Sequence, residues 1–543
     1  MEGPTRVRRP LDCRPGGPAL GAAHRGQSSS VAARQRRVTD VTRDEAGDGI
    51  ALRSVCASIA LGRYAALVCE RAQRCDSVNM GARRPRRERK THDEHDQHQK
   101  QFHETLPSRV VWGGVREKTV TGLQQRQARG GTLILGGGFA GGYVARLLGN
   151  RGSTIVSREN FMLYTPILPE AASGTLEPRH VVVPLRMMCR HSQLVLGRAV
   201  SLDTAARAVR VETEVGPAEI HYERLVIALG AVARTLPIPG LAEHGLGFKS
   251  LADAIYLRNH VLRQLELAEA ALTADDAKRH LSFVFVGAGY AGVEALAELS
   301  DLLRDTSRFY PGLKNVRQRW VLVDAAPKIL PEIPARLGDY AARELWKRGV
   351  DIRVSTTLES VDEHAVTLSD GSRLDTETLV WTAGVKANPI QSKLGLPLDD
   401  RGRVVVNSLL QVEGFEDVWA LGDGARVPNE ATPGRFDPPT CQHALRQARR
   451  LAKNLSGSPR PYQYRMLGQV ATLGRHKGIA DVLGLRLRGF LGWFVTRTYH
   501  LYQLPLLTRK LRVVTDWTVS LFFRRDIAEL GMLGHPASLR DDE

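Results

Sequence analysis

The sequence predicts an α/β protein with two Rossmann-like domains, the second inserted in the first. Two observations carry this prediction. From Thr132 onward, short β-branched and apolar runs alternate with helical patterns, which is typical of parallel α/β units. A strand, a glycine-rich turn and a helix also follow one another twice, in TLILGGGFAGGYVARLL from Thr132 to Leu148 and in FVFVGAGYAGVEALAEL from Phe283 to Leu299. The chain therefore contains the same unit twice.

The length of the chain requires more than one domain, because 543 residues exceed what a single core supports. Changes in composition divide it into five segments. They are a disordered basic N-terminal extension (1–129), the first part of the first domain (130–245), the inserted second domain (246–380), the second part of the first domain (381–463) and a C-terminal amphipathic region (464–543).

The N-terminal extension is rich in Arg, Gln, Ser and Gly without apolar periodicity, so it is predicted to be disordered. Its first part weakly resembles an organellar transit peptide, and a translation start placed too far upstream is the alternative. The net charge of +18 is concentrated here and in residues 460–525. No aromatic platform accompanies the arginine runs, so nucleic acid is not expected as a partner. We expect no metal site, since the histidines of the extension lie in a polar tract.

Two absences narrow the function further. The six cysteines include no CxxC pair, which argues against a zinc ribbon and against the paired thiols of a disulfide reductase. No apolar run reaches the roughly 18–20 residues that span a bilayer, which argues against a membrane-embedded pump.

The first glycine turn places Gly136, Gly138 and Gly141 at the G-x-G-x-x-G positions between a predicted strand and a predicted helix. There the first glycine makes the turn, the second lets the backbone approach a pyrophosphate, and the third lets helix and strand pack closely. The helix N-terminus adds unpaired N–H groups and partial positive charge. This turn is therefore predicted to bind a dinucleotide.

The second turn repeats the arrangement with Gly287, Gly289 and Gly292. For a single copy, a glycine-rich turn of an ordinary α/β protein would remain a reasonable alternative. Two copies, each placed between a strand and a helix, favour dinucleotide binding.

A dinucleotide site also requires a group after the next strand that accepts hydrogen bonds from the ribose hydroxyls. Asp324 ends the strand WVLV and fits that role in the second unit. No arginine follows it directly to hold a 2′-phosphate, so NADH is favoured over NADPH. In the first unit the expected carboxylate position is occupied by Ser157, and Glu159 lies two residues later. Both are candidates.

Together with ALG (Ala228 to Gly230), TAG (Thr382 to Gly384) and VWALGD (Val418 to Asp423), the two turns resemble the flavoproteins of glutathione-reductase-like architecture. The resemblance implies that FAD binds at the first turn and the nicotinamide cofactor at the second. It also implies that Gly384, Gly422 and Asp423 contribute to cofactor binding, with Gly422 and Asp423 at the ribityl and pyrophosphate part of FAD.

Longer stretches are similar to the type II NADH:quinone oxidoreductases: ENFMLYTPILPEAASG (159–174), LVWTAGVKANP (379–389), PPTCQHALRQARRLAKNL (438–455) and LGQVATLGRHKGIADVLGLRLRGFLGWF (467–494). This resemblance implies that Thr165 and Pro166 line the flavin and that Glu294 lies near nicotinamide and flavin. It further implies that Lys386 and Gln442 border the flavin and quinone pocket.

One departure concerns the quinone side, where the family pattern Ala-Gln-x-Ala-x-Gln-Gln is here CQHALRQ from Cys441 to Gln447. Cys441 replaces an alanine and Arg446 replaces a glutamine. Without the resemblance, this stretch would be interpreted as an amphipathic helix whose glutamines face solvent.

The implied activity is hydride transfer from NADH to FAD, followed by transfer of two electrons to a membrane quinone without proton pumping. The alternatives are a sulfide:quinone-type oxidoreductase using Cys189 or Cys441, and a sensor that binds nucleotides without turnover. Residues 485–525 interleave aromatic and basic side chains, which suits a peripheral location on the cytoplasmic face of the cell membrane. Packing of this region on the protein body or on a second copy in a homodimer is the alternative.

Overall fold

A computed structural model describes residues 123–457 and 459–529. Residues 123–233 contain eleven strands and three α-helices, with four short 3₁₀-helices between them. They are β1 (Gln124–Gln127), β2 (Thr132–Leu135), α1 (Phe139–Leu148), β3 (Ser153–Ser157), β4 (Phe161–Leu163), α2 (Leu168–Ala172), β5 (Val182–Pro184), α3 (Leu185–Met188), β6 (Ser192–Leu196), β7 (Arg198–Asp203), β8 (Ala208–Thr213), β9 (Gly216–His221), β10 (Arg224–Ile227) and β11 (Ala231–Ala233).

The central part of the chain continues the alternation of helices and strands. Its elements are α4 (Leu241–His244), β12 (Gly245–Gly247), α5 (Leu251–Glu269), α6 (Ala274–His280), β13 (Ser282–Val286), α7 (Tyr290–Thr306), β14 (Arg319–Val323), α8 (Ala335–Trp346), β15 (Val350–Arg353), β16 (Leu358–Val361), β17 (Ala365–Leu368), β18 (Arg373–Asp375), β19 (Thr378–Trp381) and β20 (Val385–Ala387).

The last part of the described chain contains six strands and three α-helices. Its elements are β21 (Val404–Val405), β22 (Val418–Ala420), β23 (Ala425–Arg426), α9 (Cys441–Asn454), β24 (Gly468–Thr472), β25 (Gly478–Val482), β26 (Leu485–Arg488), α10 (Gly489–Gln503) and α11 (Leu507–Phe522).

Two five-stranded parallel sheets organise the molecule, and the predicted α/β class is confirmed. The first has the order β22-β10-β2-β3-β6, and the second has the order β12-β19-β13-β14-β15. All strands of the second sheet come between β10 and β22 in sequence, so they are inserted between two neighbouring strands of the first sheet. In both sheets the strand that precedes the glycine turn, β2 or β13, is the central one. The two glycine turns therefore occupy equivalent places in the two sheets.

The central strands are largely apolar, as expected for parallel strands that are covered on both faces. Every residue of β2, β3 and β13 is buried. The ring of Phe283 stacks on that of Trp320 in the neighbouring strand β14, with ring centroids 4.5 Å apart. Burial of both faces makes these sheets rigid platforms for the turns at their carboxyl ends.

The N-terminal boundary differs from the expectation based on sequence. Residues 124–127, assigned to the disordered extension, form β1 and pair in parallel with β9. The sequence QQRQ has no apolar face, so a search for hydrophobic periodicity does not detect a strand that depends on backbone hydrogen bonds. The expectation for residues 1–122 falls outside the described residues.

The C-terminal helices are anchored to the body on one side. Trp493, Val513 and Trp517 are buried, and the Glu170 carboxylate on α2 accepts hydrogen bonds from Arg497 at 3.0 Å and from the Trp517 indole at 2.5 Å. After α11, Arg525 donates to Glu298 of α7 at 2.7 Å. One face of the C-terminal region therefore packs on the rest of the protein, as the alternative interpretation of the sequence expected. Among the described residues, no helix has the length and apolar character needed to cross a membrane.

We expect Gly292→Ala to lower the free energy of unfolding by about 1–3 kcal/mol, because the added methyl overpacks a tight contact. A Cβ at Gly292 would lie 1.9 Å from the Gly287 carbonyl oxygen. Gly289→Ala is the matched control, since a Cβ there meets nothing within 4 Å. Chemical denaturation of the ligand-free proteins measures both. Equal stability of the two variants would contradict the packing argument.

Candidate active site

The first glycine turn connects β2 to α1 in a conformation that only glycine adopts easily. Gly136 has φ of +110°, and its N–H donates to the Val156 carbonyl oxygen of β3 at 2.8 Å. A Cβ at Gly141 would lie 1.9 Å from the Gly136 oxygen, whereas a Cβ at Gly138 would meet nothing within 4 Å. The turn is therefore closed on the helix side and open at Gly138, where a pyrophosphate can approach the backbone.

The second turn has nearly the same geometry. Gly287 has φ of +111°, and its N–H donates to the Val323 carbonyl oxygen of β14 at 2.8 Å. A Cβ at Gly289 again meets open space. Among the described residues, no side chain caps either following helix, α1 or α7, so their first N–H groups remain available to an anion. Both turns fit a dinucleotide.

A short segment from the neighbouring strand closes each turn from the side. At the first turn, the Ala228 carbonyl oxygen lies 2.1 Å from where a Gly136 Cβ would be. At the second, the Thr382 hydroxyl donates to the Gly287 carbonyl oxygen at 2.9 Å. Gly384 follows two residues later with φ of +93°. The ALG and TAG segments therefore have matching structural positions.

The predicted ribose-binding positions lie beside the turns. The Asp324 carboxylate accepts from the Ala288 N–H at 2.5 Å and from the Ala326 N–H at 2.7 Å, so it also fixes the second turn. Ser157 is buried against Gly137 of the first turn, where an added Cβ would lie 2.6 Å from its hydroxyl oxygen. Glu159 is exposed beyond the end of β3.

Gly422 and Asp423 follow β22 at the same end of the first sheet. Gly422 lies against α1, since a Cβ on it would be 3.0 Å from that of Ala140. Burial raises the pKa of the Asp423 carboxyl, while Lys249 and His443 lower it. Among the described residues, no hydrogen-bond donor is paired with this carboxylate, which leaves it available to hydroxyl groups of a ligand.

A buried network that sequence reasoning did not identify holds this turn. The Gly422 N–H donates to the Gln447 side-chain oxygen at 2.8 Å. The amide nitrogen of Gln447 in turn donates to Asp437 at 3.0 Å. Gln447 was visible within the quoted CQHALRQ stretch, but no sequence pattern linked it to Gly422.

Thr165 and Pro166 form a short turn that lies near the start of α1. The preceding residue, Tyr164, is buried, and its ring centroid is 5.4 Å from that of Phe139, the first residue of α1. This segment therefore borders the first glycine turn. Lys386 lies on β20, which pairs with β11 so that Lys386 is opposite Val232.

Glu294 is buried on α7, one turn beyond the second glycine turn. Its carboxyl accepts from the backbone N–H of Thr472 at 2.8 Å and from the Thr472 hydroxyl at 3.3 Å. Burial raises the pKa of Glu294 to about 8, although these hydrogen bonds oppose the shift. The side chain is therefore mostly protonated at neutral pH. Thr472 carries no sequence signal that would have predicted this contact.

Helix α9 contacts segments beside both glycine turns. The Gly422 N–H donates to Gln447 of this helix at 2.8 Å. Gln442, near the start of the helix, donates to the Gly468 carbonyl oxygen of β24 at 3.2 Å, and Thr472 at the end of β24 donates to Glu294 at 2.8 Å. Burial raises the pKa of the Cys441 thiol to about 12, and the Asp423 and Glu294 carboxyls also raise it. Helix α9 therefore links the segment beside the first turn to the strand that contacts Glu294.

Gln442 is half-buried and hydrogen-bonded to the protein, whereas the simple amphipathic interpretation of α9 expects a solvent-facing side chain. Its side-chain nitrogen donates to the Gly468 carbonyl oxygen at 3.2 Å, and its oxygen accepts from the Tyr464 hydroxyl at 3.3 Å. Arg446, one turn later, places its guanidinium 5.2 Å from the centre of the Tyr464 ring. Arg446, which replaces a glutamine of the family pattern, therefore contacts the same tyrosine as Gln442.

Comparisons with known proteins agree with this architecture. The family model described as pyridine nucleotide-disulphide oxidoreductase matches residues 131–448. The type II NADH:quinone oxidoreductase Ndh of Mycobacterium tuberculosis is 30% identical over 415 aligned residues, and the match covers 72% of this chain and 88% of that protein. Demethylphylloquinone reductase NdbB of Synechocystis is 30% identical over 409 residues, covering 72% of this chain and 96% of that protein.

A solved structure of NDH2 from Plasmodium falciparum, in complex with NADH, has the same fold. The TM-score is 0.69 at 17% sequence identity, and the match covers 74% of this chain and 99% of that chain. The resemblance to type II NADH:quinone oxidoreductases expected from the sequence is confirmed by the named relatives. The chain belongs to the pyridine nucleotide-disulphide oxidoreductase family and is a relative of its type II NADH:quinone oxidoreductases.

Proposed function

We propose that this protein transfers hydride from NADH to FAD and then passes two electrons to a membrane quinone without pumping protons. The observation that carries the proposal is that α9 contacts the segments beside both glycine turns. Gln447 of α9 accepts from the Gly422 N–H, beside the first turn, and Gln442 donates to Gly468 of β24, the strand whose Thr472 donates to Glu294 beside the second turn. Two dinucleotides bound at these turns would have their reactive rings directed toward the same place.

We assign FAD to the first turn, at Gly136, Gly138 and Gly141. This turn belongs to the sheet that carries Gly422 and Asp423, where a half-buried carboxylate without a hydrogen-bond partner among the described residues can accept from ribityl hydroxyls. Thr165, Pro166, Ser157 and Glu159 surround the same turn and complete the assigned set. When bound, FAD supplies the chemistry that accepts hydride and releases electrons.

We assign NADH to the second turn, at Gly287, Gly289 and Gly292. Asp324 has both carboxylate oxygens on backbone N–H groups, and each oxygen has a further lone pair for a ribose hydroxyl. Gly384 lies beside this turn through the TAG segment. The N-terminus of α7 supplies positive potential for the pyrophosphate.

The quinone is assigned to the cluster around Gln442. One N–H of its side-chain amide donates to Gly468, which leaves the second available for a quinone carbonyl oxygen. We propose that Glu294 holds a proton close to the reacting rings and that Lys386 borders the flavin. The protein thereby orients the two carriers and excludes water from their contact.

The sulfide:quinone alternative requires a thiolate, because the thiolate is the nucleophilic form of cysteine. Burial raises the pKa of both Cys189 and Cys441 to about 12. The Cys189 thiol also donates to the Gly142 carbonyl oxygen at 3.3 Å. Both thiols are therefore protonated at neutral pH, which disfavours sulfide chemistry. A nucleotide sensor without turnover is distinguished by the redox experiment below.

We propose peripheral attachment to the cytoplasmic face of the membrane through the C-terminal helices. Large apolar side chains on their outer faces are exposed beside basic residues, an arrangement that suits the headgroup boundary. The apolar ones are Phe490, Leu491, Leu507, Leu511, Val519, Leu521, Phe522 and Phe523. Pairing of these faces in a homodimer is the competing proposal.

The purified protein should show a flavin spectrum that NADH bleaches anaerobically and that a short-chain quinone restores. Sulfide should not bleach it. Gly289→Val should retain the flavin and lose bleaching by NADH, because the branched side chain fills the space for the pyrophosphate. Gly138→Val is the matched control and should lose flavin instead. A colourless wild type, or loss of flavin from Gly289→Val, would contradict the assignment.

Glu294→Gln should remove a pH dependence of stability. The pKa of Glu294 is about 8 in the folded protein against a usual value of 4.5, so the folded state retains a proton that the unfolded chain releases. Wild type should therefore lose stability relative to the variant by roughly 1.4 kcal/mol per pH unit as pH rises from about 5 to about 8. Urea unfolding across this range measures the difference, and a constant difference would show that the carboxyl is not neutral.

Leu511→Asp combined with Phe522→Asp should release the protein from liposomes without affecting flavin reduction by NADH. Both side chains are more than half exposed, so folding should tolerate the change. Phe309→Asp is the control, because Phe309 is also exposed but lies between α7 and β14, outside the C-terminal helices. This variant should leave flotation unchanged. Unchanged flotation of the double variant, together with a shift from dimer to monomer, would favour the homodimer.

A further inference from the structure

A basic cavity of about 290 Å³ lies outside the candidate active site. It is bounded by α1, by the residues that follow α3, and by the connection between α10 and α11. Its lining residues are Ala145, Arg146, Met187, Met188, Cys189, Arg190, His191 and Leu506. No acidic residue is among them, so the cavity has the electrostatic character of an anion site.

The cations of this cavity are not used elsewhere in the described part of the chain. The Arg146 guanidinium lies 6.0 Å from the centre of the Tyr143 ring. Within residues 123–457 and 459–529, Arg146, Arg190 and His191 have no carboxylate partner and no side-chain hydrogen bond. Lys510, on α11, also feels this positive field, because burial and then Arg146 lower its pKa. An anion between these groups would relieve their mutual repulsion.

The backbone that closes the cavity is held in an unusual conformation. Leu506 has φ of +68°, a region that side chains other than glycine rarely adopt. The preceding helix end is fixed by the Tyr143 hydroxyl, which donates to the Gln503 carbonyl oxygen at 3.1 Å. Strain of this kind persists where surrounding contacts hold a segment in place, often at ligand-binding positions.

Apolar side chains line the cavity or directly follow its lining residues in the chain: Met187 lines it, and Leu147 and Leu507 follow Arg146 and Leu506. Met187 and Leu147 are close to half exposed, while Leu507 and Leu511 at the start of α11 are 71% and 57% exposed. A soluble phosphate would gain nothing from these side chains. A phospholipid would place its phosphate among the cations and its glycerol and first methylenes against the methionine and leucines.

We propose that this cavity binds the phosphate headgroup of an anionic phospholipid, with Arg146, Arg190 and His191 as its ligands. The inference rests on the proposed attachment to a membrane and adds a lipid-selective site to it. It also extends the membrane-facing surface from the C-terminal helices to α1 and to the residues after α3. Lipid binding at this point would fix the orientation of the flavin-binding domain relative to the bilayer.

The test uses flotation of the full-length holoprotein with vesicles of phosphatidylcholine alone, or of phosphatidylcholine mixed with phosphatidylglycerol. Wild type should prefer the anionic vesicles, and Arg146→Ser combined with Arg190→Ser should weaken that binding by about tenfold or more. Arg210→Ser combined with Arg317→Ser removes the same charge from exposed positions outside the cavity and should cost much less. Equal losses in the two double variants would overturn the proposal in favour of diffuse charge.

Two further measurements separate the possible failures. Retained flavin colour and unchanged bleaching by NADH show that the cavity variant is folded. They also show that a loss of vesicle binding concerns the lipid site and leaves the proposed redox function unaffected. Wild type that binds both vesicle types equally would overturn the lipid site alone, whereas wild type that binds neither would overturn membrane attachment as well. If inorganic phosphate raises the melting temperature of wild type while anionic vesicles have no effect, the site binds a soluble anion and the lipid assignment is wrong.

Discussion

The absence of a side chain at Gly141 and Gly292 is the constraint on which the architecture depends. At each position the helix passes so close to the preceding turn that a methyl group would overlap a carbonyl oxygen. These two contacts fix the angles at which α1 and α7 leave their sheets, and they place the N-termini of both helices at the carboxyl ends of the strands. Everything else in the site, including the convergence on α9, follows from two helices placed in the same way on two parallel sheets.

A few buried polar side chains between the two sheets are held by specific hydrogen bonds. Asp437 and Gln447 are buried, and their hydrogen bonds hold the Gly422 turn against α1. Glu294 is equally buried but is hydrogen-bonded to Thr472 of the C-terminal sheet. One carboxyl thus has a structural task and the other retains a proton.

The sequence was sufficient to predict the α/β class, the two glycine units and the insertion, because parallel strands and glycine turns have local signatures. Contacts between distant segments were not predictable in this way. The link from Glu294 to Thr472 and that from Gln447 to Gly422 depend on how domains pack, and no spacing rule reports it. Strand β1 was missed because its pairing uses backbone groups. Gln442 was assigned through a resemblance, and the residues alone suggested a solvent-facing helix.

The ion pairs of the C-terminal segment have a consequence for biosynthesis. Glu170 and Glu298 lie in the interior, and their cationic partners, Arg497 and Arg525, are among the last residues of the described chain. Before those arginines have left the ribosome, both carboxyls can be buried only as neutral acids or without a counter-charge, and either arrangement is less favourable than the ion pair. The packing of α2 and α7 is therefore expected to gain stability once Arg497 and Arg525 have emerged. The C-terminal helices thus contribute to the folding of the units that precede them in the chain.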